Sequence, residues 1–220
     1  MEVKLLLAPA AAQDAISALK AKSRSLTRVY FFDTDALDLL SQGVIVRLRQ
    51  SADAELTIKI RHPEGKAFSD PSGGREKFKC EVDFIGGQGR PSYSLQTSYD
   101  EGRPPDSGIG LFRSLSAPQK ELLKQAQVSI DWNRVKRIAD IQSTVWRSKS
   151  IPGFDRLDLE LWQFAGGQIL ELSTRGAPDT GPSIADALRK LADAKGLPQS
   201  PTQLPKTSSV LRTITHASVQ

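Results

Sequence analysis

Residues 30–61 read YFFDTDALDLLSQGVIVRLRQSADAELTIKIR, and their second half carries the pattern that decides the fold. VIVRLRQ (44–50) and ELTIKIRH (55–62) are rich in the β-branched residues that fit a pleated sheet. In Arg47-Leu48-Arg49 and Lys59-Ile60-Arg61 the charged residues stand two apart, with an apolar residue between them. On a strand, positions i and i+2 share one face and i+1 takes the other. Each run therefore predicts a strand with one apolar and one basic face. Ser51-Ala52-Asp53-Ala54 joins the two as a short turn, which predicts an antiparallel hairpin.

The same spacing recurs at Glu2-Val3-Lys4, at Lys79-Cys80-Glu81-Val82-Asp83 and at Asp158-Leu159-Glu160. A single strand of this kind is an ordinary half-buried strand with its polar face in water. Five such runs carrying both signs of charge predict a sheet curled around a shared polar interior. Val3, Leu48, Ile60, Val82, Leu159 and Leu161 would then face outward beneath helices and loops. The enclosed cavity would be wet and charged, suited to a polyanion and its metal ions.

Working outward, strands are predicted at 2–8, 27–33, 75–84, 128–138 and 141–149, with a hairpin of 154–164 and 168–175 around Ala165-Gly166-Gly167. Helices are predicted at 11–22, at 117–127 behind Ser116 and Pro118, and at 183–195 before Gly196, with a helical turn at 34–40 closed by Gly43. Residues 86–110 are rich in Gly, Pro and Ser and read as a flexible surface loop. The stretch 198–220 reads as a C-terminal tail. The whole is one domain over 1–220, of α+β class. It is a mostly antiparallel closed β-barrel of about eight or nine strands with helices packed outside.

Composition narrows the chemistry. The 220 residues carry 25% charged residues and a net charge of +5, which suits an anionic partner without demanding one. One cysteine, Cys80, excludes an internal disulfide and a multi-cysteine metal site. Two histidines, His62 and His216, argue against a histidine-based centre; His62 reads as a surface residue at a strand end. Cys80 has no neighbouring His or second Cys and reads as a small packed residue. Trp146 and Trp162 read as packing groups. No 18-residue apolar stretch exists, so no membrane span is expected and a cytoplasmic protein is the default reading. No aromatic–basic RNA motif or recognition helix points to nucleic acid.

The ordered set of motifs resembles the CYTH domain, the triphosphate tunnel metalloenzyme family. It comprises Glu2-Val3-Lys4, Tyr30-Phe31-Phe32-Asp33-Thr34 with Leu37, Leu39, Leu40 and Gly43, then Arg47-Leu48-Arg49 and Thr57-Ile58-Lys59-Ile60-Arg61. Arg75 with Lys79-Cys80-Glu81-Val82-Asp83, Thr144-Val145-Trp146-Arg147, Asp158-Leu159-Glu160-Leu161-Trp162 and Ile169-Leu170-Glu171-Leu172 follow in order, and Lys206 matches a lysine near the family's C-terminus. The block from Tyr30 to Arg61 is its most specific part. Three positions depart from the family pattern. Only the second half of Glu-x-Glu-x-Lys is present, Ser173 replaces the second glutamate of a late Glu-x-Glu pair, and Ser143 stands where an arginine usually precedes Thr-x-Trp.

The resemblance implies metal-dependent hydrolysis of a triphosphate: inorganic triphosphate, a nucleoside triphosphate or thiamine triphosphate. Arg47, Arg49, Lys59, Arg61, Lys79, Arg137, Arg147 and Lys206 are the candidates for holding phosphate, a task suited to several charge-assisted donors spaced along a groove. Glu2, Glu160 and Glu171 are the candidate ligands of Mg²⁺ or Mn²⁺, which prefer hard oxygen donors. Lys4, Glu81, Asp83 and Glu160 are the catalytic candidates. Glu81, Asp83, Asp158 and Glu160 have a second available role as cross-strand partners of the basic residues. The thinner acidic side gives an alternative: a degenerate tunnel that binds polyphosphate or another anion without turnover. Adenylyl cyclase activity is a lesser alternative. The expected partner is a small-molecule triphosphate or polyphosphate, and the expected state a monomer or homodimer.

Overall fold

In the computed structural model, which describes residues 1–61 and 67–217, every one of the period-two runs falls in a strand or at its end. His62 lies outside the described residues. The strands are β1 (Glu2–Leu7), β2 (Lys22–Asp33), β3 (Val44–Gln50), β4 (Ala54–Ile60), β5 (Lys77–Ile85), β6 (Gln88–Ser98), β7 (Lys136–Ser148), β8 (Leu157–Phe164) and β9 (Gly167–Arg175). The helices are α1 (Ala12–Ala18), α2 (Asp38–Ser41), α3 (Gly108–Ser114), α4 (Ala117–Gln125), α5 (Gly181–Ala194) and α6 (Lys206–Ala217). The strands form one closed barrel in the order β1-β5-β6-β4-β3-β2-β7-β8-β9. β1 runs parallel to β5 and antiparallel to β9, and β2·β3, β3·β4, β4·β6 and β8·β9 are antiparallel. Among the described residues no helix is long and apolar enough to cross a membrane.

The chain divides into two compact units. The first comprises Met1–Thr27, Val82–Arg90 and Gln142–Ser209. Its core joins Val3, Leu5 and Leu7 of β1, Leu157 and Leu159 of β8, and Leu170 and Leu172 of β9. Ala15 of α1 and Ala185, Leu188 and Ala192 of α5 complete that core. Hence Glu2 and Lys4, Asp158 and Glu160, and Glu171 and Ser173 are left on the opposite face of their strands. The β8–β9 hairpin turns at Ala165-Gly166, and the φ of +95° at Gly166 explains why the turn needs glycine.

The second unit comprises Arg28–Glu81, Pro91–Ile141 and Val210–Gln220. Leu48 of β3, Leu56, Ile58 and Ile60 of β4, and Leu95 of β6 pack with Leu39, Leu111, Leu122 and Leu123 of α2, α3 and α4. The β3–β4 register sets Arg47 opposite Thr57 and Ile45 opposite Lys59. Arg47, Arg49 and Lys59 therefore stand on the face away from that core. α4 is tied to the sheet by Gln119, which is fully buried. Its amide donates to the Leu56 and Leu95 carbonyls while its oxygen accepts from the Ser116 N–H in a capping box. Asp33, buried at the end of β2, accepts the N–H groups of Thr34, Leu39 and Leu40 and so caps α2. Burial raises its carboxyl above the usual range, against the lowering pull of those three hydrogen bonds.

Four expectations change. Residues 86–110 contain β6 and the start of α3 rather than a continuous loop. Tyr93–Ser98 of β6 pair with β4, setting Ile58 opposite Leu95 and Ile60 opposite Tyr93, so pairing and packing override the Gly/Pro/Ser content. Residues 128–135 are not a strand: Val128, Ile130 and Trp132 pack on the second unit's core from a loop, and β7 starts only at Lys136 and runs unbroken to Ser148. α1 stops at Ala18 instead of Lys22. The tail holds α6, with Val210 and Leu211 buried.

Gly43 offers a direct check of the β3–β4 junction. Its φ is +75°, its carbonyl accepts the Arg61 N–H at 2.8 Å, and a Cβ there would stand 2.3 Å from the Arg61 carbonyl oxygen. Gly43→Ala is expected to lower stability by about 1–3 kcal/mol in urea denaturation. A change under about 0.5 kcal/mol, as for a neutral surface site, would contradict the close approach.

Candidate functional site

In the first unit, β1 presents Lys4 between two carboxylates. Its Nζ donates to Asp83 Oδ1 at 2.7 Å and lies 3.0 Å from Glu2 Oε2. Burial alone would push this ammonium down. The carboxylates of Glu171, Glu2 and Asp83 outweigh it and hold Lys4 well above the usual lysine value. That upward shift favours the charged ammonium between these carboxylates.

The β8–β9 register places Glu160 directly opposite Glu171. Two like charges at that spacing repel. Lys206, the first residue of α6, resolves the conflict: its Nζ bonds Glu160 Oε2 and lies 2.8 Å from Glu171 Oε1. It also sits 4.5 Å above the centre of the Trp162 ring. Burial lowers the Lys206 value, while Glu160 and Glu171 raise it to a net upward shift that Lys4 partly opposes. The other oxygen of Glu160 accepts from Ser143 Oγ at 2.6 Å and from Trp162 Nε1 at 2.7 Å. Glu171 is only 3% exposed, and its Oε2 is buried with no hydrogen-bond donor among the described residues. An orphaned carboxylate oxygen in such a place is expensive, and a cation is what would relieve it.

Position in this cluster depends on how the chain before α6 is held. The Ala8 N–H bonds the Pro198 carbonyl, the Ser200 N–H bonds the Leu6 carbonyl, and Gln203 clasps both the N–H and the carbonyl of Leu6. These bonds to β1 set the origin of the Lys206 side chain.

The sequence-derived candidates distribute as follows. Glu2, Lys4, Asp83, Glu160, Glu171 and Lys206 come together in the first unit. Arg147 is also there, with its Nε 3.0 Å from Asp158 Oδ1, and Arg156 takes the other oxygen of Asp158. Of the two roles open to the acidic pairs, Asp83, Asp158 and Glu160 thus show the ion-pairing one. In the second unit, Arg47, Arg49 and Lys59 share the charged face of β3 and β4, Arg61 follows β4, and Lys79 and Glu81 lie half-buried on β5. Arg137 is exposed and stacks over the ring of Tyr30, which pairs with Leu48 on the apolar face. That placement separates Arg137 from the charged row. Cys80 is exposed.

Ser143, Trp162 and Gln203 were not legible as site residues. Trp162 stands two residues from Glu160 on one strand face, and that spacing was the available signal. Gln203 acts through long-range backbone contacts, which leave no local signature.

Lys4→Met tests the ion-pair account. The substitution removes the ammonium that bonds Asp83, a carboxylate only 4% exposed, and that lies beside Glu2. The expected loss is about 3–5 kcal/mol near pH 7. Protonation of these carboxylates relieves the charge, so the deficit relative to wild type should shrink between about pH 7 and pH 5 in urea denaturation. A deficit that is constant with pH would contradict it.

Comparison with known proteins gives a fold without a sequence family. No family model and no curated protein matches the chain. Among solved structures, it is similar to an adenylyl cyclase candidate from Hippeastrum described as having a dominant triphosphatase activity, at TM-score 0.62 and 21% identity, over 96% of this chain and 94% of that one. It is also similar to an adenylate cyclase candidate from Bacillus halodurans, at TM-score 0.59 and 18% identity, over 91% of each chain. At these identities the likeness concerns backbone architecture. The chain has the closed-barrel fold that its resemblance to the CYTH domain implies.

Proposed function

We propose that this chain is a metal-dependent phosphoanhydride hydrolase acting on a linear triphosphate, with diphosphate and phosphate as the products from inorganic triphosphate. The observation that carries this reading is the row of Arg47, Arg49 and Lys59 on the sheet face turned away from the apolar core. Guanidinium groups spaced two residues apart can each grip phosphate oxygens through paired, charge-assisted hydrogen bonds. Arg61 and Lys79 extend the basic set. The triphosphatase activity described for the Hippeastrum protein agrees with it.

The donor set suits a hard divalent cation in part. Among the described residues no group of three carboxylates stands ready to hold a metal. Mg²⁺, however, is commonly held by one or two carboxylates together with substrate phosphates. Glu171, with its orphaned oxygen, and Glu160 opposite it would be those ligands. A bound Mg²⁺ or Mn²⁺ would supply neutralisation of charge on the phosphate oxygens. Lys4 keeps Glu2 and Asp83 in place, and Ser143 and Trp162 fix the orientation of Glu160.

A second reading is favoured by one specific observation: Lys206 already bonds both Glu160 and Glu171. In that reading the chain binds triphosphate or polyphosphate without turnover. Phosphate release from inorganic triphosphate, with and without Mg²⁺ or Mn²⁺, separates the two. The hydrolase reading expects metal-dependent release, reduced at least about 100-fold in a folded Lys59→Ala/Arg61→Ala variant, the loss typical of removing phosphate-positioning charge. Unchanged kinetics in that variant would overturn it, and triphosphate-dependent thermal stabilisation with no release would establish the binder.

A further inference from the structure

We propose that Lys206 is a built-in cation that competes with a divalent metal for the Glu160–Glu171 pair, so that metal binding swings the Lys206 side chain off the two carboxylates. The inference rests on the reading of Glu160 and Glu171 as metal ligands.

Glu160 and Glu171 are directly opposed on neighbouring antiparallel strands, and their side chains are 16% and 4% exposed. Such a pair needs a positive charge between its members. Lys206 supplies it through one oxygen of each, Glu160 Oε2 and Glu171 Oε1. A metal bridging the pair would need oxygens from the same two carboxylates. An ammonium and a divalent cation drawn to the same two carboxylates repel each other at close range, so binding of one opposes the other.

Three features make this an exchange rather than a permanent lock. Glu171 Oε2 remains buried and without a donor among the described residues, which leaves a landing point for a second cation before Lys206 has moved. Lys206 opens α6, where a positive charge opposes the helix dipole, so helix stability does not dictate its placement. The backbone bonds that anchor this segment end at Gln203, three residues before Lys206. A flexible four-carbon stem can therefore turn away without breaking them.

Trp162 provides an internal reporter, because the Lys206 ammonium lies 4.5 Å above its ring. In a Trp132→Phe/Trp146→Phe background, Mg²⁺ should shift Trp162 emission, and the shift should vanish in Lys206→Gln. By calorimetry, Lys206→Gln should bind Mg²⁺ at least about tenfold more tightly than wild type, while Lys206→Arg stays within a few-fold of it. Mg²⁺ binding without any change in Trp162 emission would overturn the exchange even if Lys206→Gln failed to fold. Equal or weaker Mg²⁺ binding by folded Lys206→Gln would also overturn it and leave the metal reading standing. No Mg²⁺ binding by either protein would overturn the exchange, while the metal reading is tested separately by Mg²⁺-dependent phosphate release with triphosphate present.

Discussion

The two-residue period of a β-strand is the constraint on which this molecule rests. Leu48, Ile58 and Ile60 are buried to within 1% exposure beneath the helices of their unit, and this obliges Arg47, Arg49 and Lys59 to the other face. Val3, Leu159, Leu170 and Leu172 impose the same on Glu2, Lys4, Glu160 and Glu171. A slip of one residue in either set would drive charges into a hydrocarbon core and apolar side chains out of it. The chemistry of the charged face is thus protected by the packing of the opposite one.

Concentrating charge on a sheet face creates a second requirement, local neutrality. In the first unit two lysines serve four carboxylates: Lys4 holds Glu2 and Asp83, and Lys206 spans Glu160 and Glu171. The buried Oε2 of Glu171, which has no donor among the described residues, is the place in the cluster where a further cation would be most favourable. Buried carboxylates of this kind are stable only while their partners remain charged, as the upward-shifted lysines do.

The hairpins were legible because their sequences alternate cleanly and their turns carry the expected residues. VIVRLRQ and ELTIKI form β3 and β4 almost to the residue, and Ala165-Gly166 marks the β8–β9 turn. β6 was hidden because Pro91 and its small polar residues weaken the local pattern, while its strand character comes from pairing with β4 across a long separation. Val128, Ile130 and Trp132 misled in the opposite direction: their apolar character serves packing from a loop. In the site, charge type and spacing pointed to Lys4, Glu160 and Glu171. The bridge made by Lys206 required the fold, since 46 residues separate it from Glu160. Arg137 entered as a neighbour of Ser143, which stands where the family pattern has an arginine, and it lies over the ring of Tyr30.

The central claim is that the basic face of β3 and β4 receives a triphosphate. A crystal structure of the protein soaked with a non-hydrolysable triphosphate tests it most directly. The account predicts phosphate oxygens at hydrogen-bonding distance, about 3 Å, from Arg47, Arg49 and Lys59. A ligand bound elsewhere, with these three side chains making no phosphate contact, would contradict it.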